Sequence, residues 1–172
     1  YVASVAPSMN EVPNPAAAKA AARPKMGNKL SSLHQMSSAA SDAEATHRME
    51  EILSKSGDQR SAFTEFVRKK YATESLFLYD AVTQFKERAP KVTPRERNEM
   101  GREIVAKFIA DDAPMAVDLP DRERKRLKDM AAAGNFPPEA FNTVRSITFG
   151  LLKGNFYHAF MKSQGIDEGV EW

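Results

Sequence analysis

Wherever apolar residues recur in this 172-residue chain, they recur at the spacing of a helix. No stretch alternates apolar and polar residues over the length of a strand, so sheet folds have nothing to build on. Thr93-Pro94-Arg95-Glu96 is a capping box. Its Thr hydroxyl takes an orphan N–H, its Glu reaches back, and proline sits at the favoured first position. It opens a stripe of Met100, Ile104, Val105, Phe108 and Ile109, which Asp112-Ala113-Pro114 is expected to end. Ser41-Asp42-Ala43-Glu44 has the same form ahead of Met49, Ile52 and Leu53, with Gly57 as the breaker. Phe63, Phe66 and Val67 mark a second helix, and Leu78, Val82 and Phe85 a third that stops at Ala89-Pro90.

Another helix is expected from Pro120 or Asp121 to Gly134, carrying Leu127 and Met130. Pro137-Pro138-Glu139 is expected to open the next, with Phe141, Val144, Thr148 and Leu151 on one face. Gly154-Asn155 is expected to interrupt the chain before a final helix with Tyr157, Phe160 and Met161, closed by Gly165. The fold class is all-α, with short connections that favour antiparallel neighbours.

Aromatic content divides the chain. All ten Phe fall between Phe63 and Phe160, whereas residues 1–40 are rich in Ala, Ser and Pro and have no aromatic after Tyr1. A segment of that kind buries too little apolar surface to offset its own ordering entropy. The boundary is therefore set near Ser41, giving an N-terminal extension of residues 1–40 and a domain of residues 41–172. Within the extension, AAAKAAAR after Pro15 predicts a short helix ended by Pro24, and Leu30, Leu33 and Met36 recur at helical spacing. Two readings of the extension stand: docked through that apolar face, or a solvated tail.

Composition narrows the function classes. Formal net charge is only +2, without the concentrated Lys and Arg excess that phosphate contacts require, so no nucleic acid is expected as partner. No apolar run approaches the roughly 20 residues needed to span a bilayer. The start, YVASVAPSMN, lacks an initiating Met and a signal pattern, and reads as a piece of a longer protein. With no cysteine, disulfide frameworks and thiolate chemistry are excluded, and a reducing cytosol fits. His34, His47 and His158 do not stand at metal-ligand spacing, and neither a P-loop nor a G-x-S-x-G elbow is present. Catalytic residues, metal and cofactors are all expected to be none. The run Arg122-Glu123-Arg124-Lys125-Arg126 is read as a solvated helix face, because Leu127 and Met130 fix the buried side.

Three stretches, taken in order, carry a family likeness. SAFTEFVRKKYATESLFLYDAVTQFK, residues 61–86, holds Phe63, Phe66, Tyr71, Glu74, Leu78, Tyr79, Phe85 and Lys86 in one frame. FIADDAPMAVDLP, residues 108–120, pairs a Phe-Ile helix end with a loop closing on Val-x-Leu. FNTVRSITFGLLKGNFYHAFMKS, residues 141–163, ends in a Tyr-x-x-Phe pattern. Together they make residues from about Met49 to Ile166 resemble a regulator-of-G-protein-signalling (RGS) domain.

The resemblance implies a four-helix bundle plus a terminal-helix subdomain. It also implies a partner, the α subunit of a heterotrimeric G protein (Gα), held by loops and helix ends. Carried over position by position, the contact residues are Tyr71, Glu74 and Ser75, then Asp118 and Leu119, then Leu151, Asn155, Phe156 and Ala159. Ser75 and Asp118 stand where the family usually has asparagine, Asn155 replaces an aspartate, Phe156 is bulkier than usual, and Ala159 replaces an arginine. The implied activity is acceleration of GTP hydrolysis on Gα; the alternative is an RGS-like binding scaffold without acceleration. A monomer is expected, cytoplasmic or at the inner face of the plasma membrane, with any peripheral membrane association made through the parent protein. A docked extension would restrict the Gα-facing loops.

Overall fold

The computed structural model describes residues 27–54 and 56–166, with side-chain detail from residue 41 onward. Among the described residues seven α-helices follow one another and no strand occurs. They are α1 Gly27–Ser54, α2 Asp58–Lys69, α3 Thr73–Arg88, α4 Pro94–Phe108, α5 Asp121–Ala133, α6 Asn142–Leu152 and α7 His158–Ser163. A π turn, Lys153–Tyr157, joins α6 to α7. By its internal contacts the chain divides between Ala39 and Ala40, inside α1. The helix expected after Pro15 lies outside the described residues. So do the side chains of Leu30, Leu33 and Met36, although α1 runs through those positions.

The core falls into two buried clusters. The bundle cluster draws on α3, α4, α5 and α6, with Leu78, Val82, Ile104, Phe108, Leu127 and Val144 packed about the mutually contacting rings of Phe85, Phe136 and Phe141. Phe136 stacks on Phe141 with centroids 5.6 Å apart, and Phe85 meets Phe141 edge-on at 4.8 Å. Gly101 makes this possible, because a Cβ there would sit inside the Phe136 ring. The backbone of Phe136 is held by α4: its N–H donates to Asn98 Oδ1 at 2.9 Å, and its carbonyl accepts from Arg97 Nε at 2.7 Å.

The terminal cluster joins distant parts of the sequence. Met49 and Ile52 of α1, Phe63 and Val67 of α2, and Leu76 and Tyr79 of α3 pack with Leu152, Tyr157, Phe160 and Met161. Phe160 takes Phe63 and Phe66 edge-on at 5.1 and 5.7 Å. α3 and α6 serve both clusters, since each buries one end of its apolar stripe in one and the other end in the other.

Helix ends follow local chemistry in most places. The box at Thr93 forms as expected, with Thr93 Oγ1 accepting from the Glu96 N–H and the Glu96 carboxylate accepting from the Thr93 N–H at 2.9 Å. The Thr93 N–H, and after it the Thr93 hydroxyl donating to Glu96 Oε2 at 2.8 Å, hold the Glu96 carboxyl below its ordinary range. Gly134 closes α5 in the left-handed conformation (φ 64°) that a glycine reaches without a Cβ penalty.

Five expectations are corrected. Ser41 does not start a helix: α1 begins at Gly27 and passes through the Ser41–Glu44 box. There the box residues take interior roles, with Glu44 pairing with Arg48 one turn on and the Asp42 carbonyl accepting from Thr46 Oγ1. α4 ends at Phe108, short of Asp112, because the next residues turn back. The N–H groups of Met115 and Val117 bond the Lys107 and Phe108 carbonyls at 3.1 and 3.0 Å. Pro137-Pro138-Glu139 forms a turn, and α6 opens only at Asn142. Folding back over five residues is what lets the Phe136 and Phe141 rings stack.

Gly154-Asn155 does not interrupt the chain. The backbone stays helical through the π turn, with Lys153 at φ −63° and His158 at φ −63°. Leu152 and Tyr157 are both fully buried five residues apart, which is a π spacing rather than an α one. Finally, the basic run on α5 is not simply solvated. Arg126 is two-thirds buried, bonding Glu123 Oε2 and the Ala140 carbonyl, each at 2.7 Å. Arg124 reaches the Val117 and Ile109 carbonyls at 3.4 and 3.5 Å, so both arginines tie the loops on either side of α5 to it.

Candidate functional site

The first expected contact segment is the α2–α3 turn. The Tyr71 N–H bonds the Arg68 carbonyl and the Ala72 N–H bonds the Val67 carbonyl, the paired closure of a Schellman motif. That motif places Tyr71 in the left-handed conformation at φ 55°, where glycine is usual, and leaves its side chain 92% exposed. A tyrosine here is strained by about 1 kcal/mol relative to glycine. The chain then re-enters a helix, so Glu74 and Ser75 lie in the first turn of α3.

A cleft of about 300 Å³ opens beside that turn. Glu74 and Ser75 form one wall; Val117 and Asp118 of the α4–α5 loop form the second; Leu151, Asn155 and Phe156 form the third. A second hollow of about 430 Å³ continues from it along Asp118, Leu119 and Leu151 to Asp121 and Ile147. Six of the nine expected contact residues therefore meet in one cleft, drawn from three separate stretches of sequence. Leu119 touches the adjoining hollow, but its side chain is 3% exposed and belongs to the bundle cluster. It supports the loop and is not available as a contact in its own right. Tyr71 and Ala159 are exposed yet line neither hollow.

The lining is apolar at its base and acidic at its rim. Leu151 and Phe156 are half-buried, while Asp118 projects fully into solvent. Arg124 stands 3.9 Å from Asp118, its guanidinium already directed at the loop carbonyls. Among the described lining residues of the two hollows, the ionisable groups are Glu74, Asp118 and Asp121, all acids. Such a surface suits a partner segment that brings donors or cations and an apolar edge. No group of three or more His, Cys, Asp or Glu able to hold a metal occurs among the described residues. No helix among them is long and apolar enough to cross a membrane.

Sequence reasoning missed Ala72, Ala116, Val117, Pro120, Asp121 and Ile147, which also line the hollows. Ile147 was accessible in principle, since it precedes Leu151 by one helical turn on the same face of α6. The small residues carried no signal.

A further cleft, of about 540 Å³, lies between α1, α3 and α6. Asp80 lines it, and burial raises its carboxyl above the ordinary carboxylate range against the opposing pull of Arg60. Tyr79 is likewise raised by burial, with Arg145 Nη2 3.0 Å from its hydroxyl.

Known proteins share this arrangement of sequence. Residues 48–166 match the model of the "Regulator of G protein signaling domain" family. The protein "Regulator of G-protein signaling rgs-6" of Caenorhabditis elegans is 29% identical over 104 residues, covering 60% of this chain and 14% of that protein. "Regulator of G-protein signaling 12" of Mus musculus is 29% identical over 108 residues, covering 63% of this chain and 8% of that protein. The chain thus spans a small part of the length of these relatives. With a family match over most of its length and an all-helical fold to carry it, the chain belongs to the regulator of G protein signaling domain family.

Proposed function

We propose that the cleft docks the switch segments of a Gα subunit and accelerates its GTP hydrolysis, ending the signal. The observation that carries this reading is the convergence of Glu74, Ser75, Asp118, Leu151, Asn155 and Phe156 on one surface. A Gα subunit already holds the arginine and glutamine that hydrolysis needs. The regulator therefore supplies no reacting group. It accelerates by binding the switch segments more tightly in their transition-state arrangement than in the ground state. About 1.4 kcal/mol of such preference gives a tenfold gain in rate. The setting is cytoplasmic, at the membrane face where Gα resides, and the chain acts as a monomer.

A second reading has its own observation. Ser75 lacks an amide's two donors, Asp118 replaces donors with charge, and Ala159 has no donor at all. A binding scaffold that holds Gα without acceleration would have the same fold and these substitutions. Pull-down of Gα in its GDP, GDP–aluminium fluoride and non-hydrolysable GTP states separates the two. Preferential capture of the aluminium fluoride state, which mimics the transferring phosphoryl group, is the expected result. Equal capture of all three states would favour the scaffold, and capture of none would end the accelerating reading and leave a scaffold for another signalling protein.

A further inference from the structure

The third wall of the cleft is built on an unusual piece of backbone. Leu152 and Tyr157 are both sealed in the terminal cluster, and the backbone between them bulges as a π turn. Asn155 and Phe156 line the cleft from that bulge. An α-helix in the same place would rotate each following residue by about 100° and change which side chains face the cleft.

One side chain ties the bulge to another helix. Lys153, the first residue of the π turn, has only 19% of its side chain exposed. Its ammonium donates to Asp42 Oδ1 and to Thr46 Oγ1, each at 2.7 Å, and approaches the Asp42 carbonyl at 3.4 Å. Asp42 and Thr46 lie one turn apart on α1, so three acceptors converge on one cation. Lysine has three donors, and this arrangement gives each an acceptor. The apolar cluster fixes the register of the bulge from beneath; the ammonium fixes its outer edge.

We infer that Lys153 is a positioning residue for the cleft, pinning the π turn to α1 so that Asn155 and Phe156 stand where a partner meets them. The inference rests on the proposed Gα-binding reading of the cleft. It makes α1 part of the site without touching the partner.

Two readouts on the full chain test it. The variants are Lys153→Met, which keeps most of the stem and removes the donors, Lys153→Arg, and the pair Asp42→Ala with Thr46→Val. In the free protein, amide hydrogen exchange of residues 153–157 should quicken in Lys153→Met and in the α1 pair. Lys153→Arg should restore the slow exchange, and α4 and α5 should be unaffected throughout. In single-turnover hydrolysis by Gα, Lys153→Met should raise the half-saturating concentration of the chain about 5-fold, with little change in the maximal rate. Combining Lys153→Met with the α1 pair should add nothing further, because all three residues form one unit.

Unchanged exchange at 153–157 overturns the inference whatever the hydrolysis assay shows. Quickened exchange with an unchanged half-saturating concentration overturns it too, leaving Lys153 a structural tie only. If the unaltered chain neither binds nor accelerates any Gα, the functional reading fails instead. The pin itself is then decided by exchange alone.

Discussion

The two buried clusters are closed by different means. In the bundle cluster, neighbouring elements close on three Phe rings, and polar side chains secure the loops. Arg97 and Asn98 hold Phe136, and Arg126 holds Ala140. The terminal cluster brings α1 and α2 against α7, segments about a hundred residues apart, around the edge-on Phe63–Phe160 pair. Its link to α6 runs through a π turn rather than a regular helix. The cleft lies where the two meet: Val117 and Leu119, flanking Asp118, belong to the bundle, whereas Asn155 and Phe156 hang from the terminal cluster. The bundle thus gives the site a fixed wall, and the terminal cluster gives it a wall whose position depends on long-range packing.

The sharpest way to break this comparison is to remove one ring from each cluster. Phe141→Ala and Phe160→Ala should each cost about 3–5 kcal/mol. Chemical denaturation with residue-resolved hydrogen exchange will show the difference. Phe141→Ala should loosen the whole of α3–α6, whereas Phe160→Ala should loosen α2 and α7 first and abolish Gα binding while α4 and α5 stay protected. Identical exchange patterns would mean that the clusters are one cooperative unit.

Gly101→Ala tests the bundle by overfilling it. The added methyl must displace the Phe136 ring, at a cost of about 1–3 kcal/mol in unfolding free energy, read by chemical denaturation. A neutral result would mean that the ring can step aside.

Tyr71 separates stability from function. Replacing it with glycine should stabilise the chain by about 1 kcal/mol by relieving the left-handed strain. The same change should weaken Gα binding, because it removes the most exposed aromatic beside the cleft. A loss of stability would show that the tyrosine ring has packing that its exposure does not suggest.

The smallest effect belongs to the cap of α4. Thr93→Ala should cost about 1 kcal/mol. It should also flatten one part of the acid limb. A carboxyl held below its ordinary value in the fold contributes stability that is complete above that ordinary value, and is lost as pH falls through the depressed one. For Glu96 that loss begins below about 4.5, the ordinary value. Asp80 has the opposite sign: its raised carboxyl favours the fold as pH falls, so Asp80→Asn should remove a stabilisation on acidification rather than a loss.

Helix existence was legible wherever an apolar stripe and a stop signal agreed, as at Leu78–Phe85 and the Thr93 box. Helix ends were less so, because tertiary contacts decided them. The proline pair at 137–138 would start a helix in isolation, yet stacking of Phe136 on Phe141 makes the segment a turn. The phase slip was not legible, because Phe156 follows Leu152 at an ordinary helical spacing while the structure buries Tyr157 instead, and Gly154-Asn155 reads as a break. Ser41 shows the same lesson in reverse, since a capping sequence also fits inside a long helix when its acid finds Arg48. At the site, the family pattern located the polar rim, but burial of Leu119 and the tie from Lys153 to α1 depend on contacts between distant segments. No local spacing encodes those.

The most direct measurement of the central claim is single-turnover GTP hydrolysis by a panel of Gα subunits, with this chain and with its Glu74→Lys and Leu151→Ala variants. Acceleration of at least one Gα, with a half-saturating concentration raised at least tenfold by Glu74→Lys and less by Leu151→Ala, is the predicted result. Binding without acceleration across the panel, or acceleration that neither variant weakens, would contradict the assignment of this cleft as the surface through which the chain drives hydrolysis.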